Sequence, residues 1–435
     1  MKRIIAILLT LSMALGMVGC SSSQDSGSSS SSGSITVNIW DSNQQKGLQQ
    51  IADEWSKTSG ISAKIEVVDW DNYWTLLEAG ASGGTMPDVF WTHSNTVQLY
   101  MENDVPLDLT DYIANDSAID LSEFYEGIVQ LYTRSDGKVY AVPKDHDTIA
   151  LLYNEAIFNE YGVDVPTDDW SWDDVAAATK AITEASGGDV YGFAMNTSNN
   201  QDGYYNLIEG YGGKVITEDH KGTTIGSDEA KAGMEMVRQI IEYGVPQTSL
   251  SESGTDTQFM SGKAAMLTQG SWMIIQFYNA ENSADYKWAM LPYCDANGNG
   301  QEDEGERVSC YNGLGWAAAY NVADPQACYD LIAWFCSEQG QKEQAELGVT
   351  MAGMPGISDA FASAFEGMDV SAFTKIEETG TLFFRPYTAN TPVWEDALQQ
   401  AGAFQDAWLD PSNPETMATA CDNAQAIIEA AIAEE

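Results

Sequence analysis

The sequence predicts an α/β protein in two lobes, each a mixed sheet flanked by helices. Three observations lead there. Strand-like stretches alternate with amphipathic helices from Ile35 to Trp91, the pattern of parallel strands joined by crossover helices. The same alternation restarts beyond Trp170. The chain has 435 residues, 44% of them apolar, which exceeds the usual single domain and supplies enough apolar mass for two cores.

Taken in order, Ile35, Val37 and Ile39 alternate with polar residues, a strand signal. Leu48, Ile51, Ala52 and Trp55 follow at helical spacing, and Gly60 stops that helix. Ala63 to Val67 alternates again, giving a second strand. Tyr73 to Ala79 reads as helix, with Trp70, Tyr73 and Trp74 as a packing cluster, and Met86 to Trp91 leads into a third strand. Ligands of such sheets lie beyond the carboxyl ends of the strands, which here are Trp40 to Asn43 and Trp91 to Ser94. In the second half, Ser171 and Asp174 signal a capped helix from Val175 to Thr183. Tyr191 to Met195 reads as a strand, Ser227 caps a helix reaching Tyr243, and the apolar stretch Ala264 to Thr268 precedes Gly270-Ser271-Trp272. Asn413-Pro414 opens a final helix to Ala433, with proline at a tolerated first-turn position.

Before the first strand lies a charged start, Met1-Lys2-Arg3, and an apolar run from Ile4 to Val18. At about 15 residues the run falls short of the roughly 20 a spanning helix needs, so it reads as a secretion signal. Met17-Val18-Gly19-Cys20 resembles a bacterial lipobox, in which Cys20 is lipidated and becomes the new N-terminus. Residues 1–19 are then the signal peptide and 20–34 a lipidated cysteine with a Ser/Gly tether. Two acyl chains suffice for stable anchoring. This places the body on the extracellular face of the cytoplasmic membrane.

With 19 Lys and Arg against 65 Asp and Glu, the net charge is −46. Such a field repels nucleic acid and anionic lipid. Thirteen Trp and 20 Tyr exceed what cores need and suggest flat apolar surfaces for a ligand. Beyond Cys20 five cysteines remain, an odd number. Cys294 and Cys310 flank a hairpin-like loop and could pair, or they stay reduced.

Five segments in order resemble the extracellular solute-binding proteins of bacterial ABC transporters, carbohydrate type, the group that includes maltose-binding protein. They are Gly83 to Phe90, Val105 to Tyr112, Val139 to Phe158, Phe259 to Trp272 and Gly313 to Ala317. The resemblance runs from about Ile35 to the C-terminus. It implies a periplasmic-binding-protein-like fold whose lobes are joined by hinge crossings and close on a ligand. The implied division is an N-terminal lobe of residues 35–146 and 313–355, and a C-terminal lobe of 147–312 and 356–435. It also implies a monomer that delivers its ligand to a membrane permease and needs no catalysis and no cofactor.

On that resemblance, Asp41, Ser42 and Asn43 match a first ligand loop, and Trp91, His93 and Ser94 a second. Sugar rings present a C–H face and a hydroxyl rim, so tryptophan beside Asp, Asn or Gln is matched chemistry. Asp147 lies at the first crossing, where the family places a carboxylate. Asn200 and Asp202 fall in a second-lobe loop, Trp272 follows Gly270-Ser271, and Tyr311 and Asn312 adjoin the second crossing. Trp394 resembles a late aromatic that closes the cleft. Arg385 either binds hydroxyls or pairs with a carboxylate.

Asp295 to Glu306 fits the calcium-loop pattern D-x-[DN]-x-[DN]-G-x5-E. Asp295, Asn297, Asn299, the carbonyl of Gln301 and Glu306 would hold a structural Ca2+. Glu302 replaces the usual apolar eighth residue, and the flanks read as strands, so the alternative is an uncoordinated Asn/Gly turn. The three histidines, His93, His146 and His220, lack metal-ligand spacing.

The expected function is capture of a carbohydrate by a lipid-anchored binding protein. Acidic charge with aromatics would also suit a cationic solute such as a polyamine, or a peptide. A surface glycosidase needs two carboxylates at a set separation, a requirement too easily met by 65 acids to be informative.

Overall fold

Alternating burial of Ile35, Val37 and Ile39 makes Ser34–Ile39 the strand β1. The computed structural model describes residues 33–197, 201–250, 254–399 and 403–435. Among them β1 joins a five-stranded sheet with β2 (Ser62–Val67), β3 (Val89–Thr92), β4 (Val142–Pro143) and, from far along the chain, β11 (Gly315–Ala318). The order is β2-β1-β3-β11-β4, with β1 parallel to β2 and β3, and β11 antiparallel to both its neighbours.

The second sheet runs β7 (Tyr191–Phe193), β8 (Ala264–Gly270), β6 (Ile149–Asn154), β9 (Tyr286–Met290). Strand β6 is buried on both faces, which explains its unbroken apolar run. Its odd positions Ile149 and Leu151 enter one core and its even positions Ala150 and Leu152 another. The two sheets, each with its own helices and core, are the two lobes.

Two small sheets lie between them: β5 (Asp145–His146) with β12 (Met351–Ala352), antiparallel, and β10 (Val308–Tyr311) with β13 (Thr381–Phe384), parallel. The first two crossings run side by side. Asp147 N–H donates to the Asn312 carbonyl at 2.9 Å and Lys144 N–H to the Leu314 carbonyl at 2.7 Å. Between them the backbones press together at Gly313, where an added Cβ would sit 2.2 Å from the Asp145 carbonyl oxygen. Only glycine allows that approach.

Helix ends follow the sequence signals closely. Gly60 closes the first helix in the left-handed region at φ 75°. Ser171 and Asp174 form a reciprocal capping box for Trp172–Ala185, Ser227 caps Asp228–Tyr243, and Asn413 caps Pro414–Ala433. One start differs from expectation. The first helix begins at Ser42, because Asp41 accepts the Asn43 N–H at 2.8 Å as its N-cap. Cys294 and Cys310 are both free and buried, as are Cys328, Cys336 and Cys421. None of the described helices is long and apolar enough to cross a membrane. The signal, Cys20 and the tether up to residue 32 lie outside the described residues.

Candidate functional site

Strands β1 and β3 end side by side, so Trp40 and Asp41 meet His93 and Ser94 at one edge of the first lobe. Trp40 stands edge-on to Trp70 at 5.1 Å, Tyr73 at 5.0 Å and Trp91 at 4.9 Å between ring centres, and Trp70 stands edge-on to His93 at 5.6 Å. Within this cluster Trp91 and Tyr73 are buried, whereas Trp70 is 37% exposed. Trp70 is thus the most exposed ring of this cluster, with half-buried Trp40 beside it. The sequence predicts Trp70 as packing and Trp91 as a stacking ring; in the structure Trp91 is fully buried and Trp70 is the exposed ring of the cluster. Strand β3 lies mid-sheet, so Trp91 is held between Trp40 and Trp316, with the Lys144 ammonium 4.7 Å from its ring centre.

From His93 a row of hydrogen bonds crosses to the second lobe. The Asn312 side-chain amide nitrogen lies 3.1 Å from His93 Nε2 and donates to Gln201 Oε1 at 3.2 Å. An amide nitrogen only donates, so Nε2 accepts, while Nδ1 lies 2.9 Å from Asn95 Oδ1 and 3.2 Å from the Asn95 N–H. Gln201 Nε2 in turn donates to Asp147 Oδ1 at 2.6 Å, which also accepts the Asn312 N–H at 3.2 Å. Burial, helped by the Arg385 charge, pushes the His93 pKa down to about 3. Burial pushes Asp147 well above the usual carboxylate range, reinforced by Asp145. Asp202 is pushed well up by burial too, against the pull of Asn196, whose amide lies 3.2 Å away. The row is thus polar but not strongly charged.

Arg385 settles its two alternatives by pairing. Its Nη2 donates to Glu395 Oε1 at 2.6 Å, and Nη1 reaches Ser94 Oγ of the first lobe at 3.3 Å. Tyr205 OH donates to the same Glu395 oxygen at 3.2 Å. Trp394, expected to close the cleft, is fully buried and donates through Nε1 to Thr388 Oγ1 at 3.1 Å. Its helix, Thr391–Gln399, turns that ring into the second-lobe core rather than toward the cleft.

Asp41 is engaged as a cap, and Ser42 and Asn43 occupy the first helical turn. Trp272 is half-buried and folds over Gly270, where a Cβ would lie 1.8 Å from the indole. Half-buried Tyr311 packs edge-on to Phe384 at 4.9 Å. Asn200 lies outside the described residues. Trp40, Trp70 and Gln201, absent from the ligand residues expected from the sequence, also lie at this junction. Trp40 and Gln201 sat in segments already flagged, but nothing in spacing separates a half-exposed indole from a buried one.

The Asp295–Glu306 loop closes on itself. Asp295 accepts the N–H groups of Asn299 and Gly300, both at 2.9 Å. Glu306 accepts those of Ala296 at 3.1 Å and Asp303 at 2.9 Å. The amides of Asn297 and Asn299 present nitrogen, at 2.7 and 2.8 Å, to Asp303 Oδ2. Among the described residues no group of three or more His, Cys, Asp or Glu is arranged to hold a metal ion.

Two lobes whose facing edges carry an aromatic shelf and a polar row invite comparison with known proteins. A family model described as bacterial extracellular solute-binding protein matches residues 40–342. The chain belongs to that family. As a solute-binding protein it is similar to the maltodextrin-binding protein of Bacillus subtilis, 23% identical over 75% of this chain and 74% of the relative. Among solved structures it is similar to an ABC substrate-binding protein of Listeria monocytogenes in complex with cycloalternan. The TM-score is 0.77 at 21% identity, covering 90% of this chain and 97% of that one. The GacH receptor of Streptomyces glaucescens, solved unliganded and with acarbose, gives 0.75 at 20% identity over 93% and 99%. These likenesses establish the two-lobed fold, and family membership makes this solute-binding protein a binder rather than an enzyme.

Proposed function

We propose that this solute-binding protein captures a neutral oligosaccharide between its lobes and hands it to an ABC permease, working as a monomer tethered through lipidated Cys20. One observation carries the ligand class: the aromatic shelf of Trp40 and Trp70 and the polar row of Asn312, Gln201 and Asp147 meet at His93. A sugar offers one ring face and one hydroxyl rim, and this junction offers a partner for each. Asn312 Oδ1 and Ser271 Oγ are buried without a partner among the described residues, which suits ligand hydroxyls as donors and acceptors. Carboxyls pushed up by burial disfavour a cation, so the polyamine reading ranks below the sugar. The names of similar proteins, maltodextrin-binding and cycloalternan-bound, support the same class.

Titration calorimetry with maltotetraose, a galactotriose, spermidine and a tripeptide tests this. Binding of a sugar, insensitive to salt and with the sugar recovered intact, is the expected result; binding of spermidine alone overturns it. Radiolabelling of Cys20 with a fatty acid in the producing cell tests the anchor. Ca2+ is likewise proposed for the Asp295–Glu306 loop, on its spacing: binding requires the Asn297 and Asn299 amides to turn their oxygens inward. A calcium titration that releases no heat, with no shift in melting temperature, removes that proposal.

A further inference from the structure

Lys144 is fully buried, yet it is neither a ligand residue expected from the sequence nor part of the polar row. Its ammonium has three partners. It donates to Asp145 Oδ2 at 2.6 Å and to Gln44 Oε1 at 2.9 Å, and it lies over the Trp91 ring. Each partner leads somewhere different.

Gln44 leads to the ligand edge of the first lobe, because its Nε2 donates to Asp41 Oδ2 at 3.1 Å. Trp91 leads to the shelf, being packed on Trp40 two residues before His93. Asp145 leads to the hinge. Its Oδ1 accepts the Leu314 N–H of the second crossing at 2.7 Å, and its Oδ2 accepts the Thr350 hydroxyl, one residue before β12, at 3.2 Å. The Lys144 backbone joins the same knot. Its N–H bonds Leu314 and its carbonyl accepts Gln341 Nε2 at 2.8 Å, while Gln341 Oε1 accepts the Gly353 N–H at 2.7 Å.

We propose that Lys144 is a positioning residue that couples the ligand-facing edge of the first lobe to the two paired crossings and the β12 segment, so that capture and lobe closure share one ammonium. The inference rests on capture between the lobes as proposed above. A buried ion pair contributes little net stability over an apolar replacement, so its position between the ligand edge and the hinge fits a coupling role better than a stabilising one. Effector coupling of this kind shifts affinity by about tenfold.

The test uses the full chain with spin labels on Glu102→Cys in the first lobe and Glu184→Cys in the second, both exposed. The five described native thiols are buried and stay unlabelled. Maltotetraose is the probe. In Lys144→Met, affinity is expected to fall about tenfold, and the label distances at saturating sugar to keep an open population that wild type lacks. A merely structural residue would lower the melting temperature and leave the distance distribution alone. Should Lys144→Met not fold, Gln44→Leu cuts the branch to Asp41 while sparing the ion pair, with the same expectation for affinity and distances. Wild-type affinity and distances in the folded variant overturn the inference. If wild type binds no sugar, the carbohydrate reading falls. Sugar-free label distances then decide the coupling: identical distributions in wild type and variant overturn it, and a shifted one supports it.

Discussion

The side-chain amide of Asn312 points both its hydrogens at acceptors, one of them Nε2 of His93 at 3.1 Å, and that bond exists only while the imidazole is neutral. His93 titrates near 6.5 in an unfolded chain but at about 3 here. Between those values the unfolded state holds more protons. The stability owed to His93 is therefore complete above about pH 6.5 and is lost as pH falls toward 3. Thermal unfolding of wild type and His93→Asn from pH 7.5 to 4.5 checks this: the gap between their midpoints should narrow as the medium acidifies.

Asp147 runs the opposite way. Its carboxyl is pushed well up by burial, so the folded state holds the proton first, and its contribution declines as pH rises above about 3.8. Asp147→Asn keeps an acceptor for Gln201 and Asn312 without a buried charge. Its melting temperature at pH 7.5 should equal or exceed that of wild type, and a fall of several degrees would contradict the assignment.

Trp70 on the shelf and Trp91 buried behind it should separate cleanly. Trp91→Ala opens a cavity in a packed core and should cost about 3–5 kcal/mol of stability. Trp70→Ala removes a 37% exposed ring and should leave the melting temperature within a few degrees, while weakening sugar binding about tenfold, the loss of a stacking contact worth roughly 1.5 kcal/mol. Denaturant unfolding and calorimetry on the same two variants read both quantities.

Arg385 and Glu395 are each 5% exposed and pair at 2.6 Å. Removing one partner strands a buried charge, so Glu395→Leu should destabilise by about 3–5 kcal/mol, and the double variant Arg385→Met/Glu395→Leu should recover most of it. A double variant as unstable as the single would show that the stranded Arg385 charge is not what destabilises Glu395→Leu.

Burial pushes the thiols of Cys294 and Cys310 well up, and both are free. The native protein should show no reaction of its five described thiols with a thiol reagent, and all five should react in guanidinium. Equal melting temperatures with and without a reductant would confirm that no bridge forms between Cys294 and Cys310.

Legibility in the sequence followed the range of the interactions involved. Alternation in β1 and the caps at Ser171, Ser227 and Asn413 are local physics, read within a few residues. The pairing of Trp91 with Trp316 across β3 and β11 spans 225 positions, and nothing at Trp91 itself announces that a second tryptophan covers it. The same distance hides Trp394, whose burial depends on which helix face meets the core. The sequence left Arg385 two alternatives, and the fold pairs it with Glu395, ten residues on in no obvious pattern. Lys144 was invisible: a lysine before an aspartate reads as surface unless the fold encloses it.

Strand β11 has a bearing on how the molecule can be assembled. It lies between β3 and β4, and it is translated some 170 residues after β4. A nascent chain ending before Gly315 leaves the inner edge of β3 unpaired, with bare peptide groups ready to recruit a neighbour's strand. Any fragment or split version that lacks residues 315–318 should clump rather than ripen, and ribosome-bound intermediates should need a holding chaperone until that late segment emerges.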